Sequence, residues 1–258
     1  VGETEMPIKK GIITKESIIG EIGEVILGKI PGRVSKNDIT IFDSTGIAHQ
    51  DLLTANHLIK IAKEKALELA RKEVKTYISP YNDSDIIVGQ GTIGLEILEE
   101  FPEVEKVLVP IGGGGLIAGI AIAIKCKNRS IEVIGVQSEA SPVMYESLKA
   151  GKILKSEELK IQDSIADGLS GGIEEGSITF RITQKNVNKV ILVKEENIKE
   201  AIRLLWEKDN QVVEGAGAVG TALLIENKEQ FRNKKTVVVI SGGNIDDELF
   251  NEITKISK

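Results

Sequence analysis

From about residue 76 onward, short apolar runs rich in β-branched residues alternate with stretches of helical spacing. The runs predict strands over Thr76–Ser79, Lys106–Pro110, Ile131–Val136, Val190–Val193 and Thr236–Ile240. The periodic stretches between them predict helices over Ile93–Glu100, Leu116–Lys127, Pro142–Ala150, Glu196–Glu207 and Ala216–Glu226. Such alternation implies an α/β fold: a mostly parallel sheet with helices on both faces. In sheets of this kind ligands sit beyond the carboxyl ends of the strands.

The front of the chain has a different character. Thr14 is placed to cap a helix from Lys15 to about Leu27, and Gly28 to Gly32 form a turn around Pro31. Ile39-Thr-Ile-Phe42 is a short β-branched strand, and Asp43-Ser-Thr-Gly46 turns it into a long helical pattern running to about Lys72. The pattern changes inside that helix. The expected organisation is therefore a small N-terminal α/β appendage over residues 1–66 and a larger portion over 67–258.

Composition narrows the class of protein. Of 258 residues, 41% are hydrophobic and only 3% aromatic, so the core should be aliphatic. The net charge of -6 is spread along the chain without a basic stripe, which argues against nucleic-acid and anionic-membrane partners. Cys126 is the lone cysteine, so no internal disulfide can form, which fits a reducing cytoplasm. No apolar run reaches membrane-spanning length, and the opening Val-Gly-Glu-Thr-Glu does not read as a signal peptide.

Candidate chemistry concentrates where Val107-Leu-Val-Pro-Ile-Gly-Gly-Gly-Gly-Leu116 passes from strand to helix. Glycines at such a turn let the backbone approach a ligand and aim several N–H groups at one point. The helix that follows adds the positive end of its dipole, so a phosphate is the natural guest. Gly113-x-Gly115-x-x-Ala118 also matches a dinucleotide fingerprint, with Glu132 or Glu139 as the ribose acid. A second loop, Ser241-Gly-Gly-Asn244, ends another core strand. Two strand-end glycine loops, one bearing a hydroxyl, suit a small aromatic phosphate better than an extended dinucleotide.

At these residues the chain resembles a known family. Ile78-Ser-Pro-Tyr-Asn-Asp83, Val88-Gly-Gln-Gly-Thr-Ile-Gly-Leu-Glu96 and Pro110-Ile-Gly-Gly-Gly-Gly-Leu116 match the second half of threonine/serine dehydratases in order. So do Gly135-Val-Gln-Ser-Glu-Ala140, Ile165-Ala-Asp-Gly-Leu-Ser-Gly-Gly172, Val213-Glu-Gly-Ala-Gly-Ala218 and Ile240-Ser-Gly-Gly-Asn244. The resemblance implies an incomplete fold type II pyridoxal-phosphate architecture and pyridoxal 5'-phosphate as cofactor. By that resemblance Gly112, Gly113, Gly114, Gly115 and Leu116 hold the cofactor phosphate, and Ser241 bonds the pyridine nitrogen. It also implies an amino acid as substrate and assembly as a homo-oligomer.

Two parts of that family's equipment are missing from the sequence. Neither the Ser-Phe-Lys-Leu-Arg-like motif with the Schiff-base lysine nor the Ser-Gly-Asn-His substrate loop occurs, so no catalytic residue is assigned. Lys125, Lys127 and Lys152 read as ordinary surface lysines. Relatives that bind a divalent cation place acids where this chain has Gln137 and Val143, so no metal site is expected, and Glu139 reads as a loop acid.

Residues 1 to about 65 resemble instead the C-terminal part of the ornithine cyclodeaminase/μ-crystallin family. The motifs are Gly2-Glu3, Gly28-Lys-Ile-Pro-Gly-Arg33 and Ile41-Phe-Asp-Ser-Thr-Gly-Ile-Ala-His-Gln-Asp51. Asp43 reads as a capping acid, and His49 and His57, eight apart, as a partly exposed helix face. The leading expectation is a threonine/serine ammonia-lyase chain, fused or truncated, that carries the phosphate cradle and is inactive alone. The alternatives are a non-catalytic ligand-binding or subunit-interaction fragment, and an NAD-dependent ornithine cyclodeaminase-like enzyme.

Overall fold

The computed structural model describes residues 10, 24, 29–31, 64–66, 68–74 and 78–255. It divides into two compact units, Val1–Tyr77 and Ile78–Lys258. In the first unit, residues 64–66 and 68–72 are helical and Lys65 pairs with Glu68 at 2.9 Å. Residues 29 and 30 form a bend in which the Lys29 N–H donates to the Glu24 carbonyl at 2.8 Å. Of the expected helix after Thr14 only residue 24 is described, and it is helical; the strand at 39–42 and the turn at Asp43 lie outside the described residues, as do His49 and His57.

The second unit is built on four parallel strands: β1 (Lys106–Pro110), β2 (Glu132–Ser138), β3 (Lys189–Val193) and β4 (Thr236–Val238), in spatial order β3-β2-β1-β4. Every residue of β1 is buried, as expected of a central strand covered on both faces. Successive side chains alternate between two cores. Leu108, Ile134 and Val136 join one cluster, and Val107, Val109 and Val133 the other. The first cluster is closed by α5 (Glu195–Asp209) and α6 (Gly215–Glu226). The second is closed by α2 (Gly115–Lys127), α3 (Val143–Ala150) and α4 (Ile178–Asn186), together with α1 (Ser84–Glu100). Short helices α7 (Lys228–Phe231) and α8 (Asp247–Thr254) complete the unit.

Several boundaries differ from the sequence reading. Residues 78 and 79 are irregular rather than strand, because Ser79 Oγ accepts the Asn82 N–H at 3.1 Å and begins the turn into α1. Helix α1 starts nine residues before the expected Ile93, capped by Asp83, whose side chain accepts the Asp85 N–H at 2.8 Å. Two of its glycines, Gly91 and Gly94, are contact points with α2 rather than breakers. A Cβ on Gly94 would lie 2.9 Å from the Ile120 carbonyl, and one on Gly119 would lie 2.3 Å from the Ile87 carbonyl. α1 and α2 therefore pack backbone against backbone. Helix α4 was not expected at all. Its residues Ile178, Thr179, Ile182 and Thr183 are β-branched and favour strand on propensity, yet packing holds them helical.

At the amino ends of β1 and β2, Lys106 Nζ donates to Glu132 Oε1 at 2.6 Å. Lys125, expected to be an ordinary surface residue, is instead tied down there. Its Nζ donates to Asn188 Oδ1 at 2.8 Å and to the Ile131 carbonyl, and partial burial lowers its pKa.

Candidate phosphate-binding site

The strand order reverses between β1 and β4. From β1 the chain moves outward through β2 to β3, then returns to place β4 on the other side of β1. Such a switch point opens a crevice at the carboxyl ends of the two strands. The two glycine loops flank that crevice: Gly112–Gly115 leaves β1, and Ser241–Asn244 follows β4, whose ladder to β1 is prolonged by the Val239 N–H to the Leu108 carbonyl at 2.9 Å.

The first loop turns at Gly114, which has φ +90° and forms the N-cap of α2. That φ favours glycine. The neighbouring glycines are demanded by contacts. A Cβ on Gly113 would lie 2.6 Å from the Tyr81 ring, one on Gly115 would lie 2.9 Å from Tyr81 Cα, and one on Gly112 would lie 3.0 Å from Leu169 Cα. Tyr81 and Leu169 thus close on the loop from two sides. Their own positions are held by hydrogen bonds. Tyr81 Oη accepts the Glu174 N–H at 3.0 Å, and Asn82 Nδ2 donates to Glu174 Oε2 at 2.9 Å. Asn82 Oδ1 accepts the Ile178 N–H at 2.9 Å, and Thr179 Oγ1 donates to the Gly113 carbonyl at 2.6 Å.

The segment that carries Leu169 is anchored by Glu195. Its carboxylate accepts from Ser138 Oγ, from Ser164 Oγ at 2.7 Å and from the Ile165 N–H at 2.8 Å. On the far side of the crevice the N-cap of α6 grips the second loop. The Glu214 N–H donates to the Gly242 carbonyl at 3.1 Å, and Glu214 Oε2 accepts the Asn244 N–H at 3.1 Å. Ser241 is exposed, and its hydroxyl makes no hydrogen bond among the described residues.

The amides of Gly112, Gly113, Gly114, Gly115 and Leu116 find no acceptor among the described residues. Those of Gly115 and Leu116 belong to the first turn of α2, where no intrahelical partner exists. Unpaired donors gathered on a glycine turn at the start of a 13-residue helix fit the oxygens of a phosphate. A cation finds less at Gln137 and Val143. Gln137 Oε1 accepts the Tyr145 N–H at 3.1 Å, which leaves the Nε2 donor facing the interior without a partner among the described residues. Val143 is buried and apolar, so these two positions do not fit a hard cation.

The glycine loops were legible in the sequence. Tyr81, Asn82, Thr179 and Glu195 were not singled out there, because their role comes from contacts with partners 30 to 96 residues away.

Comparison with known proteins places the chain among relatives. The model of the family described as pyridoxal-phosphate dependent enzyme matches residues 44–243, and that of the ornithine cyclodeaminase/mu-crystallin family matches residues 2–66. L-threonine ammonia-lyase of Thermotoga maritima is 45% identical over 192 residues, covering 74% of this chain and 47% of that protein. The catabolic L-threonine dehydratase TdcB of Escherichia coli K12 is 38% identical over 247 residues, covering 95% and 72%. Among solved structures, maize serine racemase superposes with a TM-score of 0.67 at 31% identity, over 75% of this chain and 60% of that one. The chain thus spans about half the length of the Thermotoga relative.

Proposed function

The chain belongs to the pyridoxal-phosphate dependent enzyme family, and from that premise we propose that it is the cofactor-cradling portion of a threonine/serine ammonia-lyase. The observation that carries this reading is the set of unpaired amides from Gly112 to Leu116 at the strand-order switch point. Those amides hold the phosphate, and Ser241 across the crevice supplies a hydroxyl for the pyridine nitrogen. Pyridoxal phosphate, when bound, supplies an electron sink for loss of the substrate's α-proton and β-hydroxyl. A neutral hydroxyl at the ring nitrogen leaves that sink weaker than a carboxylate would, which suits β-elimination.

In this reading the residues present do not include the Schiff-base lysine, so the chain alone holds the cofactor reversibly and does not turn over. The surroundings of three described lysines support this. Lys106 is paired with Glu132 at the opposite end of the sheet, Lys125 is bonded to Asn188 beside it, and Lys152 lies toward Glu158 at 4.0 Å. The same observations favour, as a second reading, a ligand-binding module with no catalytic role of its own. The match of residues 2–66 leaves room for an NAD-dependent, ornithine cyclodeaminase-like activity. The expected setting is a cytoplasmic homo-oligomer acting on a small amino acid. No helix among the described residues is long and apolar enough to cross a membrane.

The test is to titrate the purified chain with pyridoxal phosphate, record the absorption spectrum, add borohydride and map any modified lysine. Reversible binding with no single-site adduct is the expected result. One lysine modified in full would refute the inactive reading. Binding of NAD but not pyridoxal phosphate would overturn the cofactor.

A further inference from the structure

Thr179 lies in the first turn of α4, is fully buried, and reaches the glycine loop from below. Its hydroxyl donates to the Gly113 carbonyl at 2.6 Å and lies 2.7 Å from Ser177 Oγ. A carbonyl can only accept, so the Thr179 proton is committed to Gly113. Ser177 must then serve as donor, toward Thr179 or toward Asn82 Oδ1 at 3.1 Å. A hydrogen bond between the two hydroxyls can therefore run only from Ser177 to Thr179.

The peptide joining Gly113 to Gly114 is trans, since the described chain contains no cis bond. In a trans peptide the carbonyl and the next N–H point in opposite directions. Fixing the Gly113 carbonyl against α4 therefore fixes the Gly114 N–H away from α4, on the open side of the loop. This constraint matters here because glycine peptides flip readily. With no Cβ on either side, nothing local prevents the Gly113–Gly114 plane from rotating. Gly114 also sits close beneath this contact, where an added Cβ would lie 3.2 Å from Thr179 Oγ1.

We propose that Thr179 is a positioning residue for the bound phosphate: by holding the Gly113 carbonyl it aims the Gly114 amide into the cradle. The inference rests on the phosphate reading of the loop given above. It separates Thr179 from the residues that only pack against the glycines, because its effect falls on ligands that carry a phosphate.

The test uses the full chain in three forms: wild type, Thr179→Val and Thr179→Ser. Each is titrated with pyridoxal phosphate and with pyridoxal, which lacks the phosphate, and melting is followed by circular dichroism. Thr179→Val should bind pyridoxal phosphate at least about tenfold more weakly, the worth of one lost hydrogen bond to a charged group, with pyridoxal binding unchanged. Thr179→Ser, which keeps the hydroxyl, should restore most of the loss. Equal binding of pyridoxal phosphate by wild type and Thr179→Val overturns the inference. Parallel losses for both ligands, or no rescue by serine, overturn it as well, since they mark general damage.

A second readout covers a valine variant that fails to fold. In wild type labelled with ¹⁵N-glycine, inorganic phosphate should shift the Gly114 amide resonance along with those of Gly113 and Gly115. A Gly114 resonance that stays fixed while its neighbours move refutes the aiming role. If the wild type binds neither pyridoxal phosphate nor inorganic phosphate, the phosphate reading itself falls and takes this inference with it. If the wild type binds and valine makes no difference, only the role of Thr179 falls.

Discussion

Replacing Gly119 and Gly89 separately by alanine should change stability in opposite directions, although the two positions lie on helices packed together. Gly89 is an exposed position of α1, and a Cβ there would meet nothing within 4 Å. Alanine costs less backbone entropy than glycine in a helix, so Gly89→Ala should stabilise the unit by about 0.5–1 kcal/mol. Gly119→Ala gains the same propensity but must place its methyl 2.3 Å from the Ile87 carbonyl and 2.7 Å from the Gly91 nitrogen. Those distances fall about 1 Å inside normal contact. The obstacles are backbone atoms of α1, which no rotamer change can move aside, so the two helices must separate. Overpacking of a fitted core costs about 1–3 kcal/mol when side chains can give way, and a backbone obstacle places this case at the top of that range. The net expectation is a loss of about 2 kcal/mol for Gly119→Ala against a gain for Gly89→Ala. Urea denaturation of each variant, followed by far-ultraviolet circular dichroism, measures both. Equal effects of the same sign would refute the claim that α1 and α2 meet backbone to backbone at Gly119.

Other consequences are open to direct measurement. Glu195→Ala removes the acceptor of three hydrogen bonds and should lower stability by about 2–3 kcal/mol, with Glu195→Gln losing less; denaturant midpoints check this. The hydrogen bond from Lys106 holds the Glu132 carboxyl below its ordinary pKa, against a smaller upward push from burial. A depressed carboxylate stabilises the fold above its unfolded pKa, about 4.3, and that contribution disappears as pH falls through the lower folded value. The melting temperatures of wild type and Glu132→Gln should therefore differ at neutral pH and converge in acid below that range. Glu132 is more than a third exposed, so the difference should be small and should shrink with added salt. Ser241→Ala should leave melting unchanged, because its hydroxyl is exposed and makes no hydrogen bond among the described residues, and should alter the spectrum of bound pyridoxal phosphate.

How far the sequence could be read depended on whether the information was local. Strand β1 announced itself because Lys106-Val-Leu-Val-Pro110 is a continuous buried run ending in glycines. α2 followed because the mostly apolar run Leu116–Lys127 starts at once after the glycine turn. α1 was placed too late because Gly89, Gly91 and Gly94 dilute its pattern, and the close contacts that call for Gly94 and bring Gly91 near lie in α2. α4 was missed because its β-branched residues speak for a strand until Phe180 and Thr183 are seen buried. In the candidate site the loops themselves were visible, while the residues that hold them were not. Tyr81 and Thr179 reach the loop from positions 32 and 66 residues away from Gly113, a relation that no periodicity carries.

That division bears on what the four glycines are for. A phosphate-binding loop is often described as glycine-rich so that the ligand can come close. Here Gly113 and Gly115 are each denied a side chain by Tyr81, Gly112 is crowded by Leu169, and Gly114 is favoured by its own φ. These constraints come from the fold whether or not a ligand is bound: Tyr81, Leu169 and Thr179 pack against the turn. A cradle built in this way does not depend on the lysine that would hold the rest of the cofactor. On the proposed function, phosphate affinity and chemical competence are separable. The loop should bind inorganic phosphate and pyridoxal phosphate through the same contacts, with the two ligands competing, even in a chain that performs no reaction.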